Sequence, residues 1–221
     1  MIIQIYGLTT PDDARIVVEA GADNAGVVLD EGYDAWDSVD ATTARAIVAE
    51  LRDINVVALS LSVESDEIRR TVEVVEPQIA HVVRLTDRWE ADAVATLREQ
   101  LLPVQLMLTI GVRDERAIEV ARRFAPVCDY LLLDTPHPTT GVVGATGVTH
   151  DWSVSARIVD AVTTPVVLAG GLGPQNVAEA IAQTRPAGVD SETRTSRDDD
   201  RRRKDRAKVR RFVELSRAQS F

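Results

Sequence analysis

The sequence predicts a closed (β/α)8 barrel, an α/β fold, formed as a single domain by residues 1–221. Three observations support this prediction. Eight short apolar runs alternate with eight segments that have helical periodicity. The runs are apolar almost without interruption, which is typical of parallel strands covered on both faces. No G-x-G-x-x-G motif follows the first run, which weakens the rival interpretation, an open doubly wound sheet.

Each predicted strand is a run of β-branched and other apolar residues that ends at a turn or at a polar residue. In chain order these runs are Ile2–Tyr6, Ala25–Leu29, Val56–Leu61, His81–Leu85, Val104–Thr109, Tyr130–Asp134, Val166–Ala169 and Gly188–Asp190. The first helix begins at Pro11, because proline suits the first turn of a helix and Thr10 before it is a good N-cap. Apolar residues at helical spacing predict the other seven helices, which are Ala41–Leu51, Glu64–Val75, Trp89–Leu101, Arg113–Phe124, Trp152–Val162, Gln175–Gln183 and Arg206–Ser216.

Composition and charge narrow the classes of function. The formal net charge is −10, which argues against general nucleic-acid binding because that activity needs a basic face. No run is long enough to span a bilayer, and the N-terminus lacks the pattern of a signal peptide. The single cysteine, Cys128, precedes an apolar run and is expected to be a core thiol. We expect a cytoplasmic protein that is a monomer or a homodimer.

The stretch from Pro165 to Asp190 predicts an anion site. It consists of a buried strand, the Gly170-Gly171 turn, a helix that opens at Pro174 and a second strand ending on Asp190. A Gly-Gly turn lets backbone amides approach a ligand closely, and the loops after the seventh and eighth strands of such barrels commonly hold phosphate. We therefore expect a small anionic, phosphorylated substrate. The alternative is that the two glycines only turn the chain.

Asp134 is the main candidate for acid–base chemistry. It ends the apolar run LLLD, and burial at the mouth of a barrel raises the pKa of a carboxyl group toward the range of a general acid. The alternative is that Asp134 caps the following loop. His137 and His150 share that loop and are weaker candidates, since most loop histidines are simply solvated. No cluster of His, Cys and Asp has metal-ligand spacing, so no metal site is indicated.

The run from Ser196 to Arg206 carries both signs of charge at high density. We expect a solvated loop in which its three consecutive aspartates pair with the neighbouring basic side chains. A divalent-cation site on Asp198, Asp199 and Asp200 is the alternative.

Several motifs together resemble the phosphoribosylanthranilate isomerase family of tryptophan biosynthesis. They are PVVLAGGLGPQNVAEAI with RPAGVD, then LLLDT, the stretch from Gly144 to Trp152, and YGLTTPDDA near the start. The resemblance runs almost from end to end. It implies an isomerase that works without a cofactor and converts an aminoaldose phosphate to an aminoketose phosphate, an Amadori rearrangement.

The resemblance also implies roles for single residues. Asp134 matches the family's general acid at the end of the sixth strand, which opens the ribose ring. Tyr6 matches its general base, a cysteine at the end of the first strand, which removes the C2 proton. Gly170 and Gly171 fall on the phosphate loop, and Asp190 falls on the strand-eight aspartate.

The chain departs from the family pattern at four places. Tyr6 replaces the cysteine, and a phenol with a pKa of about 10 is a poor base at neutral pH. Thr193-Arg194 replaces a Ser-Gly pair whose amides hold phosphate; Arg194 either offers its guanidinium to that phosphate or marks a different ligand. Asp30 to Ser38 replaces a basic stretch that grips the anthranilate carboxylate. Arg84 stands where the family usually has glutamine.

These departures leave three hypotheses open. The first is a sugar-phosphate isomerase of this family with Asp134 as the acid, diverged in its substrate. The second is a different barrel reaction, such as a lyase, aldolase-type or other isomerase step; no lysine ends a predicted strand, which disfavours Schiff-base chemistry. The third is a non-catalytic binding barrel whose mouth is packed shut by Tyr6 and Trp36.

Overall fold

The structure is a computed structural model that describes residues 1–29, 32–33, 35–136 and 149–219. The described residues form the predicted barrel of parallel strands, and β1 pairs with both β2 and β8, which closes the ring. The eight strands are β1 (Ile2–Ile5), β2 (Asn24–Leu29), β3 (Asn55–Ser60), β4 (Ile79–Val82), β5 (Gln105–Gly111), β6 (Tyr130–Asp134), β7 (Val166–Leu168) and β8 (Gly188–Ser191). A further two-residue strand, Ser38–Val39, pairs with the end of β2.

A helix follows each barrel strand in the part of the chain that the structure describes. These helices are α1 (Pro11–Ala20), α2 (Ala41–Val48), α3 (Ser65–Val75), α4 (Ala91–Leu101), α5 (Arg116–Phe124), α6 (Trp152–Ala161), α7 (Val177–Thr184) and α8 (Arg206–Arg217). The predicted start of α1 is confirmed: the Thr10 side chain accepts a hydrogen bond from the Asp13 amide, and Pro11 occupies the first turn.

Alternation along each strand separates two apolar regions. Residues that point outward, such as Ile3, Ile5 and Val189, pack against the helices in the main core. Residues that point inward fill the barrel, and the buried members of this second cluster are Tyr6, Val28, Val57, Ile79, Met107, Leu132, Val167 and Ala169. The same alternation turns Gln4, Asp134 and Asp190 toward the interior.

Some predicted boundaries are wrong. The fourth strand ends at Val82 rather than Leu85, because Leu85 opens a short 3-10 turn, Leu85–Asp87. The helix predicted to open at Pro174 begins at Val177. The cause is Asn176, whose side chain binds the preceding loop and keeps that loop in a turn.

Cys128 is a buried core thiol, as predicted, and its sulfur donates to the carbonyl oxygen of Phe124. Within the described ranges, no helix is both long enough and apolar enough to cross a membrane.

Candidate active site

Asp134 is the last residue of β6 and lies at the carboxyl-terminal rim of the barrel. Its side chain is half-buried, and burial raises the pKa of the carboxyl group to about 6. The Thr135 amide donates a 2.7 Å hydrogen bond to Asp134 Oδ1, which partly opposes that rise. Asp134 thus both caps the following turn and has the pKa of a proton donor near neutral pH.

Asp190 lies on β8 with its carboxyl group inside the barrel, and its exposed fraction is 8%. The Gln4 side chain on β1 donates a 3.2 Å hydrogen bond to Asp190 Oδ1. Burial raises the pKa of Asp190 to about 7, and the charge of Asp134 adds to the rise. The ionisation of Asp134 therefore affects the ionisation of Asp190 at the rim.

Tyr6 follows β1 and points into the barrel, where its hydroxyl lies 2.8 Å from His81 Nδ1. His81 Nε2 in turn lies 2.6 Å from Thr109 Oγ1, so the three side chains form a bridge across β1, β4 and β5. Burial raises the pKa of Tyr6 well above its ordinary value and lowers the pKa of His81 to about 3. Both groups are consequently neutral at physiological pH.

A Cβ atom on Gly26 would collide with the Tyr6 ring, so the ring lies directly on the β2 backbone. Sequence reasoning missed His81 as a functional neighbour of Tyr6. The sequence feature that could have identified His81 is the position of a histidine within the apolar run IAHVV.

Gly170 and Gly171 form the predicted turn after β7, with φ values of 81° and 63°. These angles favour glycine, and a Cβ on Gly170 would also collide with the Thr135 hydroxyl. Asn176 secures the loop: its Nδ2 donates to the Gly171 oxygen at 3.1 Å, and its Oδ1 accepts from the Gly173 amide at 2.9 Å. The turn after β7 is thus packed against the end of β6, directly beside Asp134.

Thr193 and Arg194 form a 3-10 turn, Thr193–Thr195, in the loop after β8. A Cβ on Gly173 would collide with the stem of Arg194, so the loops after β7 and β8 touch. Arg194 is exposed and places a positive charge beside the glycine-rich loop. Arg84 is also exposed, but it follows β4, which lies across the ring from β8.

His150 supports the same region. Its Nδ1 lies 2.9 Å from Thr135 Oγ1, and its Nε2 lies 2.6 Å from Ser155 Oγ on α6. Burial lowers the pKa of His150 to about 4, so the imidazole is neutral and joins the end of β6 to α6. His137 and the motif residues up to position 148 lie outside the described residues.

Sequence reasoning also missed a buried charge cluster formed by Asp37, Glu192 and Lys204. Lys204 Nζ donates to the Glu192 backbone oxygen and to Ser196 Oγ, both at 3.0 Å. Burial lowers the pKa of Lys204, and burial together with Asp37 raises the pKa of Glu192. A lysine in a basic run gives no local sign that it will be buried, because runs of charge are usually solvated.

The loop between β8 and α8 reaches across to the loop after β2. The Arg202 guanidinium donates to the backbone oxygens of Trp36 and Ser38, and the Arg201 guanidinium lies 4.5 Å from the centre of a Trp36 ring. The predicted pairing within the loop is confirmed for Asp199, which bonds Arg197 at 2.8 Å. Asp198 instead bonds Lys208, outside the loop on α8, at 2.6 Å.

The chain is similar to known proteins over nearly its whole length. The family described as N-(5'phosphoribosyl)anthranilate (PRA) isomerase matches residues 3–215. N-(5'-phosphoribosyl)anthranilate isomerase from Methanocella arvoryzae is 35% identical over 212 residues, which cover 96% of each chain. The protein of the same name from Halorubrum lacusprofundi is 33% identical over 211 residues, covering 96% of this chain and 94% of that one.

Solved structures agree with this assignment. Phosphoribosyl anthranilate isomerase from Thermotoga maritima has a TM-score of 0.82 at 26% identity and covers 99% of this chain and 100% of its own. The enzyme from Thermococcus kodakaraensis has a TM-score of 0.75 at 31% identity, with 98% of each chain covered. The strand-end residues, the extent of the sequence match and the structural relatives all agree. The chain therefore belongs to the N-(5'-phosphoribosyl)anthranilate isomerase family.

Proposed function

We propose that this chain isomerises N-(5'-phosphoribosyl)anthranilate to the corresponding aminoketose phosphate, with Asp134 as the general acid. The observation that carries the proposal is the position of Asp134 on the rim, beside the glycine turn after β7. A proton donor and an anion-binding loop then lie side by side, as ring opening of a phosphorylated sugar requires. A related phosphoribosyl anthranilate isomerase structure, with a TM-score of 0.80 at 25% identity, is a complex with reduced 1-(o-carboxyphenylamino)-1-deoxyribulose 5-phosphate.

The acid role follows from the surroundings of Asp134. Its pKa of about 6 leaves an appreciable protonated fraction near neutral pH, whereas an ordinary aspartate would be almost fully ionised. Protonation of the ribose ring oxygen lets the bond between that oxygen and C1 break. The electron pair of the amine nitrogen then forms the C1=N bond of an open-chain iminium ion. The side chain supplies this proton without a metal or a redox step.

The phosphate end of the substrate fits the loops after β7 and β8. Gly170 and Gly171 allow close approach to the backbone, and the stem of Arg194 lies against Gly173. A guanidinium binds phosphate through charge-assisted hydrogen bonds, so we assign Arg194 to the phosphate. Thr193 lies in the same turn and adds a hydroxyl donor.

The anthranilate end fits the side of the mouth formed by the loop after β2. The stretch after β2 has no basic residue, but the loop after β8 brings Arg201 and Arg202 onto it at Trp36. The Arg202 guanidinium already donates hydrogen bonds to backbone oxygens, whereas the Arg201 guanidinium lies over the Trp36 ring and is exposed. An aromatic face with a cation above it suits an aromatic carboxylate. We therefore assign Arg201 to the carboxylate of the substrate.

One observation favours a second substrate class. Asp37 and Glu192 place two carboxyl groups near the mouth, and Lys204 is the cation whose charge lowers the pKa of Glu192. Such surroundings repel an anion, so a phosphorylated sugar that carries a neutral or basic amine is the alternative substrate for the same isomerisation.

The direct test is turnover of phosphoribosylanthranilate, followed by the loss of anthranilate-type fluorescence. Wild-type protein should show turnover and should rescue a tryptophan auxotroph that lacks this isomerase. Asp134→Asn should reduce kcat at least 100-fold, which is the usual contribution of a general acid. Asp160→Asn, an exposed change on α6, is the matched control and should leave kcat unchanged. Absence of both turnover and rescue with the wild-type protein would refute the proposal for this substrate.

A further inference from the structure

A series of three side-chain amides runs from the exposed Asn55 into the barrel interior and ends on Asp190. Asn55 donates to Asn24, Asn24 donates to Gln4, both at 3.1 Å, and Gln4 donates to Asp190 at 3.2 Å. The donor-to-acceptor direction of this hydrogen-bonded series is set at Asp190, because an ionised carboxylate only accepts hydrogen bonds. Gln4 must then present Nε2 to Asp190 and Oε1 to Asn24. The amides orient the Asp190 carboxylate and favour its ionised form.

The strand register places Asp134 and Asp190 in the same row of residues, two strands apart, with one small side chain between them. Leu133 pairs with Leu168, and Leu168 pairs with Val189, so the next residues on β6, β7 and β8 are Asp134, Ala169 and Asp190. Their Cα atoms are separated by two strand spacings, about 10 Å in all. Both carboxyl groups point inward, and only the Ala169 methyl lies between them along this row.

We propose that Asp190 is the general base of this enzyme and removes the C2 proton of the substrate. This inference rests on the proposed function and adds to it a second catalytic residue, one that acts where the chain carries Tyr6 in place of a thiol.

The other candidate bases near the mouth are held by contacts with other residues. The Tyr6 hydroxyl is buried against His81 Nδ1, and the second nitrogen of His81 is bonded to Thr109. Both nitrogens of His150 are likewise bonded to hydroxyl groups. Glu192 faces Asp37 and lies against the backbone of Gly7. Among the described residues, Asp190 is the carboxylate that shares the register row of Asp134.

The groups that face Asp190 favour a shared proton. The charge of Asp134 raises the pKa of Asp190, whereas the charge of Lys204 and the hydrogen bond from Gln4 lower it. Glu192 also faces Asp190, and the charge of Asp190 helps to raise the pKa of Glu192. Burial raises the pKa of Asp134 to about 6 and that of Asp190 to about 7. Two carboxyl groups with such values hold one proton between them near neutral pH, and they titrate as a pair. The higher pKa of Asp190 places this proton mainly on Asp190, so the reactive form, with Asp134 protonated and Asp190 ionised, is the minor form of the pair.

The reaction balances with these two groups alone. Asp134 gives its proton to the ring oxygen, the C1–O bond breaks, and an iminium ion forms at C1. The Asp190 carboxylate takes the C2 proton, the C2–H electron pair forms the C1=C2 bond, and the C1=N electron pair returns to nitrogen. The enolamine then takes the proton from Asp190 at C1 and gives its O2 proton to Asp134, which yields the ketone. Both side chains return to their starting states.

The test is the isotope effect and pH profile of Asp190→Asn with phosphoribosylanthranilate. We expect kcat to fall at least 100-fold with KM changed less than threefold, and the isotope effect of C2-deuterated substrate to rise because proton removal becomes limiting. The wild-type profile of kcat/KM against pH should be bell-shaped, and the variant should lose its acidic limb. Circular dichroism checks that the variant is folded, and Asp160→Asn is again the control.

Asp190→Glu separates a chemical role from a structural one. It keeps a carboxylate at the same position, so it should retain the acidic limb and part of the activity. Equal loss in Asp190→Glu and Asp190→Asn, with no change in the isotope effect, would overturn the inference. So would Asp190→Asn with kcat within threefold of wild type, and in that case the proposed function would still stand. Wild-type protein without turnover would instead overturn the proposed function together with this inference.

Discussion

Replacement of Asp190 by asparagine should stabilise the protein at high pH and leave its stability nearly unchanged at low pH. Asp190 is 8% exposed, and its carboxyl group accepts a hydrogen bond from Gln4. Its pKa is raised from 3.8 in the unfolded chain to about 7 in the folded protein. Between these two values the folded state binds more protons than the unfolded state. The free energy of unfolding therefore falls as the pH rises through this window.

The pKa shift limits the size of the effect. A rise of roughly three pH units corresponds to about 4 kcal/mol, because one unit is worth about 1.4 kcal/mol. Water entry and relaxation around an ionised carboxylate lower this penalty, so we expect about 2 kcal/mol between pH 5 and pH 8. Asparagine has nearly the same shape and still accepts from Gln4, but it has no charge to bury.

Urea unfolding followed by tryptophan fluorescence measures this difference. Wild-type protein and Asp190→Asn should have similar free energies of unfolding at pH 5, and the variant should be more stable at pH 8. Asp160→Asn removes a negative charge at an exposed site and corrects for the high net charge of the chain. Asp134, Glu192 and Lys204 face the same carboxyl group and remain in both proteins. Parallel curves for wild type and Asp190→Asn from pH 5 to pH 8 would refute the reasoning.

Three further outcomes follow from single contacts. Tyr6→Phe should cost about 1–2 kcal/mol in urea unfolding, because a buried imidazole loses its partner, whereas the exposed change Tyr33→Phe should cost nothing measurable. Gly170→Ala should be more destabilising than Gly21→Ala, since both have a φ near 80° but only the first collides with a neighbour; equal losses of thermal stability would contradict this. Arg201→Ala should raise the KM for phosphoribosylanthranilate about tenfold with little change in kcat, if a cation–π-supported clamp holds the carboxylate. An unchanged KM in steady-state kinetics would remove Arg201 from the site.

The barrel could be predicted from the sequence because its signals are local. Apolar runs such as LLLD and VVLAGG are complete within a few residues, and each run ends at the point where a strand reaches the rim. Asp134 and Gly170 were therefore placed correctly at strand ends without any knowledge of the fold. The start of α7 was missed because Asn176 reaches back to the preceding loop, and no propensity records that contact.

Local patterns in the sequence determined the closed ring of strands, the cap of the first helix and the strand-end positions of Asp134, Gly170 and Gly171. The surroundings of these residues depend on contacts between distant parts of the chain. Tyr6 meets a histidine 75 positions away, and Asp190 meets a glutamine 186 positions away. Such pairs depend on strand register around a closed barrel, and register is set by all the strands together rather than by the residues near either partner. The charges of Asp190 and Lys204 likewise depend on burial, which is a property of the folded molecule and not of a stretch of chain.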